Sequence, residues 1–164
     1  GKGRKVELVN RVLDAVAGGW QVGGITTWRS GFHINPSAGV NRANTNINND
    51  RPNATGEPVS VDTPTTERWF NTAAFTLQPI YTFGNAARNS VPGPAGFMLD
   101  SNVQKNFRMF REGHELQFRW ESCNLLNHPV WGFPNANLSS PSFGRITSTA
   151  TNMRQLQFAL KYVF

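Results

Sequence analysis

Counted back from Phe164, the final eleven residues, RQLQFALKYVF, place Phe164, Tyr162, Leu160, Phe158 and Leu156 on one side of an extended chain. Val163, Lys161, Ala159, Gln157 and Gln155 fall on the other. Successive side chains of a strand point to opposite faces, so this is a strand with one wholly apolar face. Soluble edge strands are usually blunted by charge, proline or shortness, because their unpaired backbone groups recruit other strands. This one carries only Lys161 within its last seven residues. Both its face and its edge need a cover.

The same pattern recurs upstream. FMLDSNVQKNFRMF alternates Phe97, Leu99, Val103 and Phe107 against Asp100, Asn102, Gln104, Asn106 and Arg108. REG, residues 111–113, reads as a tight turn, after which HELQFRWESCNLL sets Leu116, Phe118 and Trp120 against Glu115, Gln117, Arg119 and Glu121. Two alternating runs joined by a short turn predict a hairpin. WQVGGITTWRS, from Trp20, reads as a glycine-weakened strand whose one face carries Trp20, Val22 and Trp28 with Gly24 and Thr26. Before it, Val6, Val9, Leu13 and Val16 recur at near-helical spacing until Gly18 and Gly19, which predicts a short helix or helical turn.

The connections between these strands differ sharply in length. Strands are expected at 19–31, 97–109, 114–126 and 154–164; the runs between them are long (32–96), short (111–113) and long (127–153). A polar loop the length of 32–96, with NRANTNINNDRPNATGEP at its centre, is foreign to a compact soluble domain. Outer-membrane barrels, in contrast, join tilted strands of about 9–11 residues by short periplasmic turns and long extracellular loops in alternation. The predicted fold class is therefore all-β: antiparallel strands of a transmembrane β-barrel, a partial barrel of about four to five strands with two long loops. On this layout residues 1–18 are a periplasmic turn or helix, and 32–96 and 127–153 are extracellular. The polar files then face the lumen, with Asp100, Gln104, Arg108, Glu115, Gln117, Arg119, Glu121 and Gln157 as lumen candidates. Lipid covers the apolar files, on which Lys105 is the exception; near the periplasmic end it is expected to snorkel to the headgroups.

Composition agrees. Charged residues are 16% of the chain, below the quarter or so usual in soluble proteins. No run approaches 18 consecutive apolar residues, so a helical membrane protein is excluded. The net charge of +6 comes from basic residues scattered along the chain apart from Lys2, Arg4 and Lys5, with no nucleic-acid-binding motif, and no nucleic-acid partner is expected.

Chemistry-bearing motifs are sparse. His33, His114 and His128 stand far apart without ligand spacing, and no nucleophile-elbow, phosphate-loop or dinucleotide motif occurs. Glu115 and Glu121 share a strand face about 20 Å apart, too far for an acid and base pair that works within about 10 Å. NTNINND offers oxygen ligands but lacks the glycine and terminal glutamate of an EF-hand loop. Cys123 reads as a small buried hydrophobe of its strand. No catalytic residue, cofactor or metal is expected. Trp69, Phe70, Trp131 and Phe133 are candidate loop contacts for a ligand, against the plainer reading that the loops pack on one another.

Beyond alternation, GGWQVGGITTWRSGFHINP, NDRPNATGEP, ERWFNTAAFTL, FGNAARNSVPGPAGF, LLNHPVWGFPN and SSPSFGRITSTATNMRQLQFALKYVF occur in an order that resembles the carboxyl end of TonB-dependent receptors of the Oar-like type. The resemblance runs from about Gly18 onward and is most specific at 68–75, 124–134 and the last twenty residues. It implies a non-enzymatic outer-membrane receptor, often bearing an N-terminal carboxypeptidase-regulatory-like domain. Its barrel would be filled by an N-terminal plug and driven by TonB through a segment outside this sequence. The implied partners are the remainder of the barrel and the plug, outer-membrane lipid and the barrel-assembly machinery, to which Leu156, Phe158, Leu160, Tyr162 and Phe164 look like an assembly signal. The chain is accordingly expected to be a C-terminal fragment or to need partner strands. The rival expectation is a secreted all-β module binding carbohydrate or another ligand, in which the apolar strand faces would pack on each other.

Overall fold

The computed structural model describes residues 18–46, 49–109 and 113–164. Apart from Gly18, the helix expected at 1–18 lies outside the described residues, as do 111 and 112 of the turn expected at 111–113. The described chain is all-β apart from one 3-10 turn, and it divides into two compact units.

The first unit holds a four-stranded sheet. Its strands are β1 (Trp20–Arg29), β6 (Gly96–Arg108), β7 (Glu115–Cys123) and β8 (Gln155–Val163), in the order β1-β6-β7-β8. Each matches an expected strand within one to three residues at either end. β6 and β7 pair antiparallel from Ser101↔Ser122 to Arg108↔Glu115, and β7 and β8 from Glu115↔Val163 to Cys123↔Gln155. The β6–β7 ladder extends toward its turn through Met109 N–H donating to His114 C=O at 3.0 Å. Gly113 there has φ +83°, a left-handed conformation that glycine adopts without a Cβ penalty. Trp20 meets Lys105, Gln21 meets Gln104 and Gly23 meets Asn102, so β1 runs antiparallel to β6.

At the far end of the hairpin the chain is pinned by Asn124, which is buried with φ +52°. Its backbone N–H donates to Asp100 Oδ1 at 2.8 Å, its Nδ2 donates to the carbonyls of His128 and Asn152, and its Oδ1 accepts the His128 N–H. Asn tolerates left-handed backbone because its short amide bonds locally, which is the chemistry used here.

The second unit, residues 28–96 and 129–151, is built from the two long connections. Far from structureless, they contain two short antiparallel pairs, β2 (His33–Ile34) with β5 (Val91–Pro92) and β3 (Asn53–Ala54) with β4 (Phe75–Thr76). A 3-10 turn at Thr72–Ala74 is capped by Asn71, whose side chain accepts the Ala73 N–H. The core of this unit is Phe70, Ala74, Phe75, Ala86 and Val91, with Ile34, Val59, Trp69, Leu138 and Phe143 packed around it. Phe70, Phe75 and Phe143 form an edge-to-face triangle with centroids 5.2–6.4 Å apart, a geometry favoured by the aromatic quadrupole. Polar backbone is satisfied across the segments: Ser37 N–H donates to Ala136 C=O, Leu138 N–H to Ser37 C=O, and Trp69 N–H to Gly144 C=O.

Candidate functional site: a two-faced sheet

Register sorts the side chains of the sheet into two faces. On one, successive rows read Phe107, Leu116, Tyr162; Lys105, Phe118, Leu160; Val103, Trp120, Phe158; and Ser101, Ser122, Leu156. The opposite rows read Arg108, Glu115, Val163; Asn106, Gln117, Lys161; Gln104, Arg119, Ala159; and Asn102, Glu121, Gln157. Strand after strand, an apolar file and a polar file therefore stack into an apolar face and a polar face.

The apolar face lies open. Phe158 and Leu160 are 67% and 68% exposed, and Val22, Leu156 and Tyr162 are exposed as well. The sandwich alternative requires these residues to be packed, which they are not. A contiguous apolar surface of this kind is what an interaction with lipid or protein uses. Aromatic residues gather toward the short-turn end. Tyr162 bonds through its hydroxyl to His114 Nδ1 and stacks on Phe164 at 6.0 Å between centroids. His114 thus satisfies the one polar atom of Tyr162.

Lys105 corrects an expectation. Rather than reaching for headgroups it is 3% exposed, with its ammonium 4.8 Å from the ring centres of both Trp20 and Phe107. Register sets Phe118 opposite it, and Trp20 meets Phe118 edge-on at 6.3 Å. Aromatic faces attract a cation electrostatically, so both rings are placed to stabilise the ammonium.

On the polar face, Gln104 Nε2 donates to Gln21 Oε1, and Arg119 pairs with Glu121 at 2.5 Å with both side chains about half exposed. Gln104, Arg108, Glu115, Gln117, Arg119, Glu121 and Gln157 all lie on this face. Asp100 continues the same file, but its carboxylate is committed to the Asn124 N–H. Asn102, Asn106 and Lys161, which the alternation sets on the polar files, belong to this face as well, as does Gln21 through its bond to Gln104. Cys123 also corrects an expectation: it is exposed rather than buried, since it is paired with Gln155 on the polar side of the sheet. The apolar run around it misleads, because parity rather than neighbourhood decides the face.

The loop candidates divide differently. Phe70 is 0% exposed at the centre of the loop core, so it serves packing and not a ligand platform. Trp69 packs beside it, and its indole N–H donates to Pro92 C=O at 2.9 Å. Trp131 and Phe133 are exposed. In NTNINND, Asp50 closes a local loop by accepting the backbone N–H groups of Arg42 and Ala43 at 2.7 and 2.8 Å. Among the described residues no three His, Cys, Asp or Glu side chains gather into a metal-binding group.

Strands of 9 to 13 residues with one apolar and one polar face are the components of a membrane-spanning β-barrel. Among the described residues no helix is long and apolar enough to cross a membrane. The model of the outer membrane beta barrel domain family matches residues 1–157, and the chain belongs to that family. It is a protein of the bacterial outer membrane. Searches of curated proteins and of solved structures found no match.

Proposed function

We propose that this chain supplies closing strands and two long extracellular loops to a TonB-dependent receptor of the Oar-like type. The observation that carries the reading is the open sheet. Among the described residues four strands form it, with β1 and β8 at its edges, whereas the smallest single-chain barrels use about eight strands and plugged transporters about 22. Further strands are needed to close the ring, and the remainder of such a receptor would provide them together with the plug.

In this role the segment does no covalent chemistry. Its apolar face meets outer-membrane lipid, and its polar face, including Gln104, Arg119 and Glu121, borders the plug or the passing ligand. The loop unit faces the medium, TonB acts through the N-terminal part, and the barrel-assembly machinery inserts the whole.

An immunoblot of fractionated cells with antibody to residues 127–153 tests the proposal. An outer-membrane band far above 18.2 kDa supports a large receptor. A band near 18.2 kDa that remains soluble contradicts it and favours a secreted module.

A further inference from the structure

Three stretches of the loop unit are laced together around one depression. Ala38 N–H donates to Asp50 C=O at 2.7 Å, and Ala86 N–H to Pro52 C=O at 3.0 Å. Asn89 N–H donates to Asn35 Oδ1 at 2.7 Å. The chain at Gly84 passes so close to Arg51 that a Cβ there would lie 1.8 Å from the Arg51 carbonyl oxygen. Segments 35–38, 49–52 and 84–89 thereby make one cross-bonded frame. The depression within it has a volume of about 260 Å³ and is lined by Asn35, Pro36, Asn49, Arg51 and Arg88.

Its charge is one-sided. Both charged lining residues are arginines, and among the described residues neither has an acidic partner. The adjacent acid is engaged elsewhere: Asp50 turns its carboxylate to the N–H groups of Arg42 and Ala43. Arg51 is steadied by one bond, Nη1 to Ala86 C=O at 3.0 Å, which leaves further donors of its planar fork for a ligand. Asn35, with Oδ1 committed to Asn89, has its NH₂ donors to offer.

We propose that this depression binds an oxyanion of the phosphate or carboxylate class between Arg51 and Arg88. Guanidinium forks suit such groups because two parallel N–H donors match two oxygens. The bond from Arg51 to the Ala86 carbonyl holds one of the two forks in place beforehand, which lowers the ordering cost of binding. The site stands on the loop unit alone and needs no transport. The oxyanion can be a dissolved one or the headgroup phosphate of a lipopolysaccharide.

Titration calorimetry of the full-length protein in detergent at low salt, with inorganic phosphate and with acetate as probes, tests the site. At least one probe is expected to bind saturably, and Arg88→Gln to weaken that binding tenfold or more. Arg88→Lys, which keeps the charge without the fork, is expected to lose less. Arg68→Gln, at an exposed arginine of the same unit outside the depression, is expected to change nothing. Displacement of the bound probe by lipopolysaccharide vesicles assigns the site to the headgroup, and persistence of the probe assigns it to a dissolved anion. The absence of saturable binding by either probe, or an equal loss in the Arg68 and Arg88 variants, overturns the proposal.

Discussion

The ammonium of Lys105 lies 4.8 Å from the centre of the Trp20 ring, tying β6 to β1 through a cation set in the apolar face. That contact gives Trp20 a role beyond its area. Trp20→Leu keeps an apolar side chain but removes the aromatic face, and the expected cost is about 0.5–2 kcal/mol, the range of partly to fully desolvated cation–π pairs. Trp20→Phe retains a π face and is expected to cost less. Urea unfolding of the detergent-solubilised protein, followed by band shift on unheated gels, checks the order.

Asn124 is expected to be the most sensitive polar residue of the sheet unit. Asn124→Ala removes three side-chain hydrogen bonds while keeping a backbone of φ +52° that alanine disfavours. At about 0.5–1.5 kcal/mol for each of the three bonds plus a left-handed penalty of about 1–2 kcal/mol, the loss is about 2.5–6.5 kcal/mol. Asn124→Gly restores only the backbone share. Chemical denaturation of the pair of variants separates the two contributions.

The Arg119–Glu121 pair is expected to contribute little to stability. Both side chains are about half exposed, and exposed ion pairs contribute about 0–1 kcal/mol. Arg119→Gln should therefore leave the unfolding midpoint nearly unchanged; a shift comparable to that of Asn124→Ala would contradict the exposed geometry.

Gly84 is fixed by close approach, not by its φ. Gly84→Ala must push apart the chains at 84 and 51, and overpacking of this kind costs about 1–3 kcal/mol. Limited proteolysis of the loop unit should then proceed faster than in the parent protein, with the sheet strands protected as before.

How much of this was legible in the sequence follows from the range of each interaction. The four strands and their two faces were readable because alternation is local: Phe158 and Gln157 declare their sides without reference to the rest of the chain. Parity likewise placed Glu121 and Arg119 correctly, and applied to Cys123 it would have prevented the buried reading. The loop unit was opaque because its core joins Phe70, Phe75 and Phe143 across wide stretches rich in Asn, Pro and Thr, where no periodicity announces burial. Lys105 was visible as an anomaly, but one of the two rings beside its ammonium, Trp20, lies on another strand. The depression between Arg51 and Arg88 depends on three separate segments and has no local signature.

The central claim is that β8 crosses the outer membrane with one face to lipid and the other to water. Single cysteines introduced in a Cys123→Ser background at each position from Gln155 to Lys161, exposed in intact outer membranes to a membrane-impermeant maleimide, test it most directly. The expected result is a period of two: positions 155, 157, 159 and 161 react, whereas 156, 158 and 160 react only after the membrane is dissolved and the protein unfolded. Uniform labelling, or stronger labelling at 156, 158 and 160, would contradict the account.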